Sequence, residues 1–231
     1  MMTDAVPFAS QALPVDLSSL SLGSPGPLER ISMTWAEVWG QLVEARVRFR
    51  STLWGNDRCV VVFHQSRSNV RQFALTDREL LVLQQTLDGE SQKQIAAGQS
   101  LSASTIGASL KSALLKLGFP SQRHTAPIAA LILSHEFPHP VTGAPPVYSI
   151  SNGEYILAAT HQVDWSRVPT LTNSEVDITR LLVQGKPNQE ISRLRNTSLH
   201  TVENQVASLL RKAGARNRFD LLRTLYQPLR A

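Results

Sequence analysis

The chain has 231 residues, 42% of them hydrophobic, a single cysteine, a formal net charge of +5 and a pI near 9.8. This composition supports one large or two modest packed cores and excludes an internal disulfide. No apolar run approaches the roughly 18 residues of a membrane span, and the N-terminus carries Asp4 where a secretory leader would be basic, so a cytoplasmic chain without a membrane partner is expected. The positive surplus is uneven: +1 over residues 1–74, +1 over 75–131, −2 over 132–170 and +5 over 171–231. An acidic partner is therefore expected to meet the last quarter.

Residues 1–27, rich in Ser, Pro, Ala and Leu without periodicity, read as a flexible arm. From about Ser32 to Ala45, Trp35, Val38, Trp39, Leu42 and Val43 recur at spacings of three and four, which predicts an amphipathic helix with a core or dimer face. About 46–54 and 58–65 then alternate as a β-hairpin around WGND, with Cys59 a small buried side chain in RCVVVF. Arg46, Arg48 and Arg50 alternate along its first strand. They could follow a phosphate track, but a charged edge that blocks strand addition is the simpler expectation.

Helical patterning runs from Leu75 to about Ser134, and a Pro-rich connector follows at 135–146. Within SHEFPHP (134–140), His135, Glu136 and His139 have the H-E-x-x-H spacing by which one helix face holds zinc. Pro138 and Pro140 break that face, so no zinc is expected. His64, His124, His161 and His200 add no metal spacing, and no phosphate loop or nucleophile elbow occurs; neither catalysis nor a cofactor is expected. A second hairpin follows at 147–161, turning at Asn152-Gly153, and a second helical block runs from Leu171 to about Tyr226.

The plan is a repeat. Residues 75–118 align with 171–214 at an offset of 96 without a gap, with 11 of 44 positions identical, and the hairpins keep the same offset. In each block a capping box (Thr76/Glu79, Thr172/Glu175) starts a first helix that Gly89 or Gly185 stops. A short second helix and a serine-rich turn lead into a third, near Ser104 and His200, ending at Gly118 and Gly214. A fourth segment closes each block, a layout of the helix-turn-helix kind.

On these residues both blocks resemble the LuxR-type (GerE-like) helix-turn-helix domain. The resemblance rests on LTxxE, the Gly after helix one, [NK]xx-I in helix two, S-x-x-T-[VI] entering helix three, K-x-G ending it, and Arg218 at the junction with helix four. It implies sequence-specific DNA binding in bacterial transcription control. The chain departs from the family where T-V-K-x-H is usual: Thr201-Val202-Glu203-Asn204-Gln205 in one block, Thr105-Ile106-Gly107-Ala108-Ser109 in the other. Gln99 and Arg195 stand where an apolar residue ends helix two, and Pro120 and Arg123 alter the first block's entry to helix four.

The expected fold is mainly α with small β-hairpins, an α+β chain of two hairpin-plus-four-helix repeats. The first repeat spans 28–134 with its helix-turn-helix at 75–131, and the second spans 147–231 with its helix-turn-helix at 171–226. The two hairpins are expected to pair or pack, joining the blocks as a pseudo-symmetric unit. Double-stranded DNA is the expected partner. Thr201, Asn204, Gln205 and Ser208 are candidates for base edges, and Lys186, Asn188, Arg211, Lys212 and Arg216 for phosphates. The first block offers only Ser104, Thr105, Ser109, Lys111 and Ser112, so the second is expected to be the main reader. The alternative is a protein-interaction or oligomerisation module, pairing with itself or a partner regulator and acting without base readout.

Overall fold

The computed structural model describes residues 29–55, 57–65, 74–119, 125–137, 145, 147–150 and 154–226. The expected arm at 1–27, the second hairpin's turn at Asn152-Gly153, His139 and Arg123 lie outside the described residues.

The chain is α+β, as expected. β1 (Glu29–Ile31), α1 (Trp35–Val43), β2 (Val47–Gly55) and β3 (Arg58–Gln65) precede the first helical block, which comprises α2 (Asp77–Leu87), α3 (Gln92–Gln99), α4 (Ala103–Lys116) and α5 (Thr125–Glu136). β4 (Val147–Ile150) and β5 (Tyr155–Ala159) precede the second, α6 (Asn173–Val183), α7 (Asn188–Leu194), α8 (Leu199–Lys212) and α9 (Arg218–Tyr226). A 3-10 turn at Trp165–Arg167 precedes α6. No helix among the described residues is long and apolar enough to cross a membrane.

Local chemistry explains the boundaries. In α2 and α6 the Thr hydroxyl (Thr76, Thr172) accepts from the N–H of the Glu three residues on, while that carboxylate accepts the Thr N–H at 2.8 Å in both. Two orphan donors are thereby satisfied at each helix start. Gly89 ends α2 at φ +90°, a conformation costly for residues with a Cβ, and lets the Glu90 N–H reach back to the Gln85 carbonyl.

Both hairpins share one antiparallel sheet of order β1-β4-β5-β3-β2. β3 and β5 are its central pair, with Val60 opposite Ala159 and Phe63 opposite Ile156. Shifting the first of these pairs by the 96-residue repeat produces the second, but on the opposite face of the sheet, so the repeat preserves the pairing and not the side chains' faces. The hairpin ladders do the same: Ser51–Val62 becomes Val147–Ala158 and Trp54–Cys59 becomes Ile150–Tyr155. β1 has no counterpart, because its repeat-equivalent positions lie at the start of α5. Its three residues carry no alternation that would mark a strand in the sequence; pairing with β4 creates it.

Cys59, Val61, Phe63, Ile156 and Ala158 on one sheet face join Trp35, Val38 and Leu42 of α1 and the apolar sides of α2, α3 and α4 in one core. Val60, Val62, Tyr148, Ile150 and Leu157 form a second layer on the other face. A third core joins α5 to the second helical block through Ala126, Ala130, Ile178, Leu182, Leu209, Leu222 and Leu225. α5 is apolar on all sides and nearly all of it is buried, as a helix must be when it packs on a sheet and on α2, α6 and α9 together.

The two blocks are tied by polar contacts as well. Asp57, at the tip of the first hairpin with φ 57°, accepts from Trp165 Nε1 at 2.8 Å and pairs with Arg180 of α6 at 2.8 Å. Arg180 draws the Asp57 carboxyl below its ordinary range, outweighing desolvation. Asn217 donates to the Gly89 carbonyl at 3.0 Å, and Arg223 of α9 pairs with Asp88 at 2.8 Å. The arginine-bearing strand β2 is a sheet edge: Arg46 pairs with Glu44, and Arg48 donates to the Leu115 carbonyl at 2.9 Å.

Candidate nucleic-acid interface

Helix-turn-helix geometry is present in both blocks at the same offset. α3 ends at Ser100 and α7 is followed by Asn196, each in the left-handed region (φ 54° and 50°), which turns the chain sharply with the short polar residues that tolerate it. Ser102 and Ser198 then cap α4 and α8 by accepting the Thr105 and Thr201 N–H at 3.1 and 3.0 Å. Ile95 and Ile191 anchor the second helices, and Ile106, Leu110, Val202 and Leu209 anchor the third.

What remains outward on α8 is a ridge of His200, Asn204, Ala207 and Arg211, flanked by Thr201 and Glu203. The spacing of four, three and four keeps one line along a helix. Asn204 Nδ2 lies 3.2 Å from the His200 ring nitrogen, so the amide can be held by its neighbour or released to a ligand. His200 was missed in the sequence; counting back from Arg211 by those spacings would have found it.

The other nominated residues are placed differently. Lys212 pairs with Glu175 at 2.7 Å, and Ser208 donates to the same carboxylate at 3.2 Å. Lys212 is the largest influence lowering the Glu175 carboxyl to about 2, assisted by the Thr172 N–H. The first block repeats this latch, with Lys116 at 2.8 Å and Ser112 at 2.6 Å from Glu79. There desolvation opposes ionisation, yet Lys116, Ser112 and Thr76 together still bring Glu79 down to about 2. Gln205 turns towards the start of α6, its amide 3.4 Å from Ser174. Thr201 shares its hydroxyl with Ser198 at 2.8 Å. Lys186 pairs with Glu190 one turn on, Asn188 is half-buried at the first position of α7, and Arg216, largely exposed, pairs with Asp220 at 2.7 Å.

On α4 the ridge equivalent to His200–Asn204–Ala207–Arg211 reads Ser104, Ala108, Lys111 and Leu115, all exposed. Leu115, 55% exposed, stands where α8 has Arg211. Thr105 is bonded to Ser102, and Ser109 is half-buried. A Cβ at Gly107 would come within 3.3 Å of the Gln92 side chain, so this position favours the close approach of α3.

The polar residues ending helix two have found partners on helix one: Gln99 donates to Gln85 at 2.7 Å, and Arg195 to Ser174 at 2.8 Å. Arg218 donates to the Lys186 carbonyl at 2.9 Å, fastening α9 to the turn after α6.

The bacterial regulatory protein luxR-family model matches twice, at residues 74–129 and 169–225, the segments that build the two helix-turn-helix units. The chain carries the LuxR-type domain twice. A relative is the response regulator RamR of Streptomyces coelicolor, 38% identical over 80 residues, covering 33% of this chain. The chain spans 39% of that relative's length. No solved structure matches the chain.

Of the H-E-x-x-H stretch, His135 and Glu136 lie among the described residues. Burial lowers His135 to about 4, so its ring is neutral, and its Nε2 lies 3.2 Å from the Ala159 carbonyl, which can only accept. The proton therefore sits on Nε2, and the ring packs against Trp35. Among the described residues no three His, Cys, Asp or Glu side chains form a metal-holding group.

Proposed function

We propose that the chain is a cytoplasmic, DNA-binding transcriptional regulator whose second LuxR-type domain is the main reader. One observation carries this reading: α8 turns Asn204 and Arg211 outward on one ridge while Glu175 holds the helix from behind. Asn204 suits a bidentate bond to adenine, and Arg211 suits a phosphate or a guanine edge. His200 extends the ridge towards the helix N-terminus, the end that helix-turn-helix proteins direct at base edges, while Thr201 is held by the Ser198 cap. The +5 charge of residues 171–231 supplies the attraction. In this reading Ser208 and Lys212 position α8, and Lys186, Asn188 and Arg216 border the phosphate track.

A second reading is favoured by Leu115 alone. An exposed leucine in place of Arg211 suits a protein surface better than a phosphate, so α4 could serve contact with a partner regulator. Salt separates the two. Binding of the purified protein to a duplex selected from genomic DNA should fall log-linearly with salt, with a slope of about −0.9 per phosphate contacted. No duplex binding at low salt, together with a stoichiometric protein partner that survives nuclease treatment, would replace the first reading by the second.

A further inference from the structure

We infer that the cleft between α1, α5 and the end of α2 binds a small amphipathic amine, its ammonium meeting Glu136 and its apolar body lying against Trp39, Ile132 and Phe137. Such a site does not depend on DNA reading. It is built by elements that stand outside the repeat. Like β1, α1 has no counterpart in the second copy, because the positions 96 residues on from Trp35 and Trp39 are Leu131 and His135 of α5. α1 buries Val38 and Leu42 in the core, and its Trp35 packs on His135 with ring centroids 5.8 Å apart.

Beside this contact lies a cleft of about 1060 Å³, lined by Met33, Trp35, Trp39, Leu87, Ile132 and Phe137 among others. Packed interiors hold few voids larger than a water molecule, whereas small-molecule sites run to about 300–1,000 Å³ and are mostly apolar with a few polar groups. The cleft has the size and the lining of the second kind.

Its polar groups define the charge of the ligand. Asp88, just after α2, pairs with Arg223 of α9 at 2.8 Å. Glu136, the last residue of α5, lines the same cleft and has no hydrogen-bond or ion-pair partner among the described residues. Desolvation and then repulsion from Asp88 raise its carboxyl above the ordinary range, and the attraction of Arg223 does not offset them. His135 is neutral, with its Nε2 proton committed to the Ala159 carbonyl. Among the described lining residues the charges are therefore Asp88, Glu136 and Arg223, and Glu136 is the one left unpaired. An anion would be repelled there. An ammonium would compensate Glu136, screen it from Asp88 and gain from the neighbouring aromatic rings.

The position also gives the ligand a structural consequence. Leu87 and Asp88 belong to the first helical block and Arg223 to the second, so an amine held by Glu136 sits beside an ion pair that ties the blocks together. A ligand that binds the folded chain alone stabilises it by mass action.

The test uses the full chain and three probes with one apolar body and different ends: phenylbutylamine, phenylbutanol and phenylbutyrate. Titration calorimetry at neutral pH should rank them amine, alcohol, carboxylate, with the amine about three- to fivefold tighter than the alcohol, the scale of a partly exposed ion pair. Glu136→Gln should erase that preference and leave the alcohol unchanged. Ala36→Trp, at an exposed lining position of α1, should block all three, with the urea midpoint confirming that the variant is folded. No binding of any probe at millimolar concentration, or binding that Ala36→Trp leaves intact, would overturn the site. A carboxylate bound as tightly as the amine, or an amine preference retained by Glu136→Gln, would overturn the assignment of a cationic ligand. All of these readouts are made without DNA, so their failure is separate from that of the reading proposal.

Discussion

Lys212→Met tests whether the lysine at the end of α8 holds the fold or touches DNA. In the folded chain its ammonium lies 2.7 Å from Glu175, whose side chain is 8% exposed while that of the lysine is 33% exposed. Such a pair falls between a surface ion pair, worth about 0–1 kcal/mol, and a buried one, whose breakage costs about 3–5 kcal/mol. Methionine preserves the stem and removes the charge, so the expected loss is about 1–3 kcal/mol, read as a lower urea midpoint with an unchanged slope. The pH dependence has a definite sign. Glu175 is lowered from 4.5 to about 2 on folding, so its contribution is complete above about 4.5 and disappears as pH falls towards 2. The stability gap between wild type and variant should therefore be widest at neutral pH and narrow through that window. DNA affinity of the folded variant should fall only modestly, without a change in salt slope. An unchanged urea midpoint, with affinity reduced equally on all sequences and the slope lower by about 0.9, would refute the latch and make Lys212 a phosphate contact.

Asn204→Ala should cost roughly 1–3 kcal/mol at one base position and relax specificity there, whereas Arg211→Ala, if it meets phosphate, should weaken all duplexes together and reduce the salt slope by about 0.9; binding titrations on single-base variants separate the patterns. Ser109→Ala and Lys111→Ala should leave base preference unaltered, with Lys111→Ala lowering only the salt slope; a changed preference at any base would make the first block a reader. Asp57→Ala removes the partner of both Trp165 and Arg180, and a loss of about 1–2 kcal/mol in chemical unfolding is expected. Unchanged stability in that variant would mean that the hairpin tip does not fasten the second block.

The repeat made much of this fold legible, because helix periodicity, capping boxes and terminal glycines are local signals that occur twice at one offset. Joining the hairpins into one sheet is a long-range event; the shared offset led to the expectation that they pair or pack, and β3 pairs with β5. β1 was not legible: three residues make a strand only when β4 lies beside them. The site was read less well, and Lys212 shows why. It sits one residue beyond Arg211, roughly 100° around the helix, which is enough to turn it from the outward ridge towards Glu175. Charge and position in the sequence do not distinguish the two; comparing the copies does.

The identical positions that pair across the repeats are those the fold uses. Thr76/Thr172, Glu79/Glu175, Ser102/Ser198 and Thr105/Thr201 cap helices. Gly89/Gly185 and Gly118/Gly214 take positive φ, and Ile95/Ile191 are fully buried. Ser112/Ser208 and Lys116/Lys212 bind the buried glutamates. The outward ridge shares none: Ser104 faces His200, Ala108 faces Asn204, Lys111 faces Ala207 and Leu115 faces Arg211. Two copies under one packing requirement keep what packing needs and are free to differ where each meets its own surroundings. Identity between the copies therefore argues against a residue being a sequence reader here: by that criterion Ser208, Lys212 and Thr201 serve the scaffold, while His200, Asn204 and Arg211 stay within the proposed reading surface.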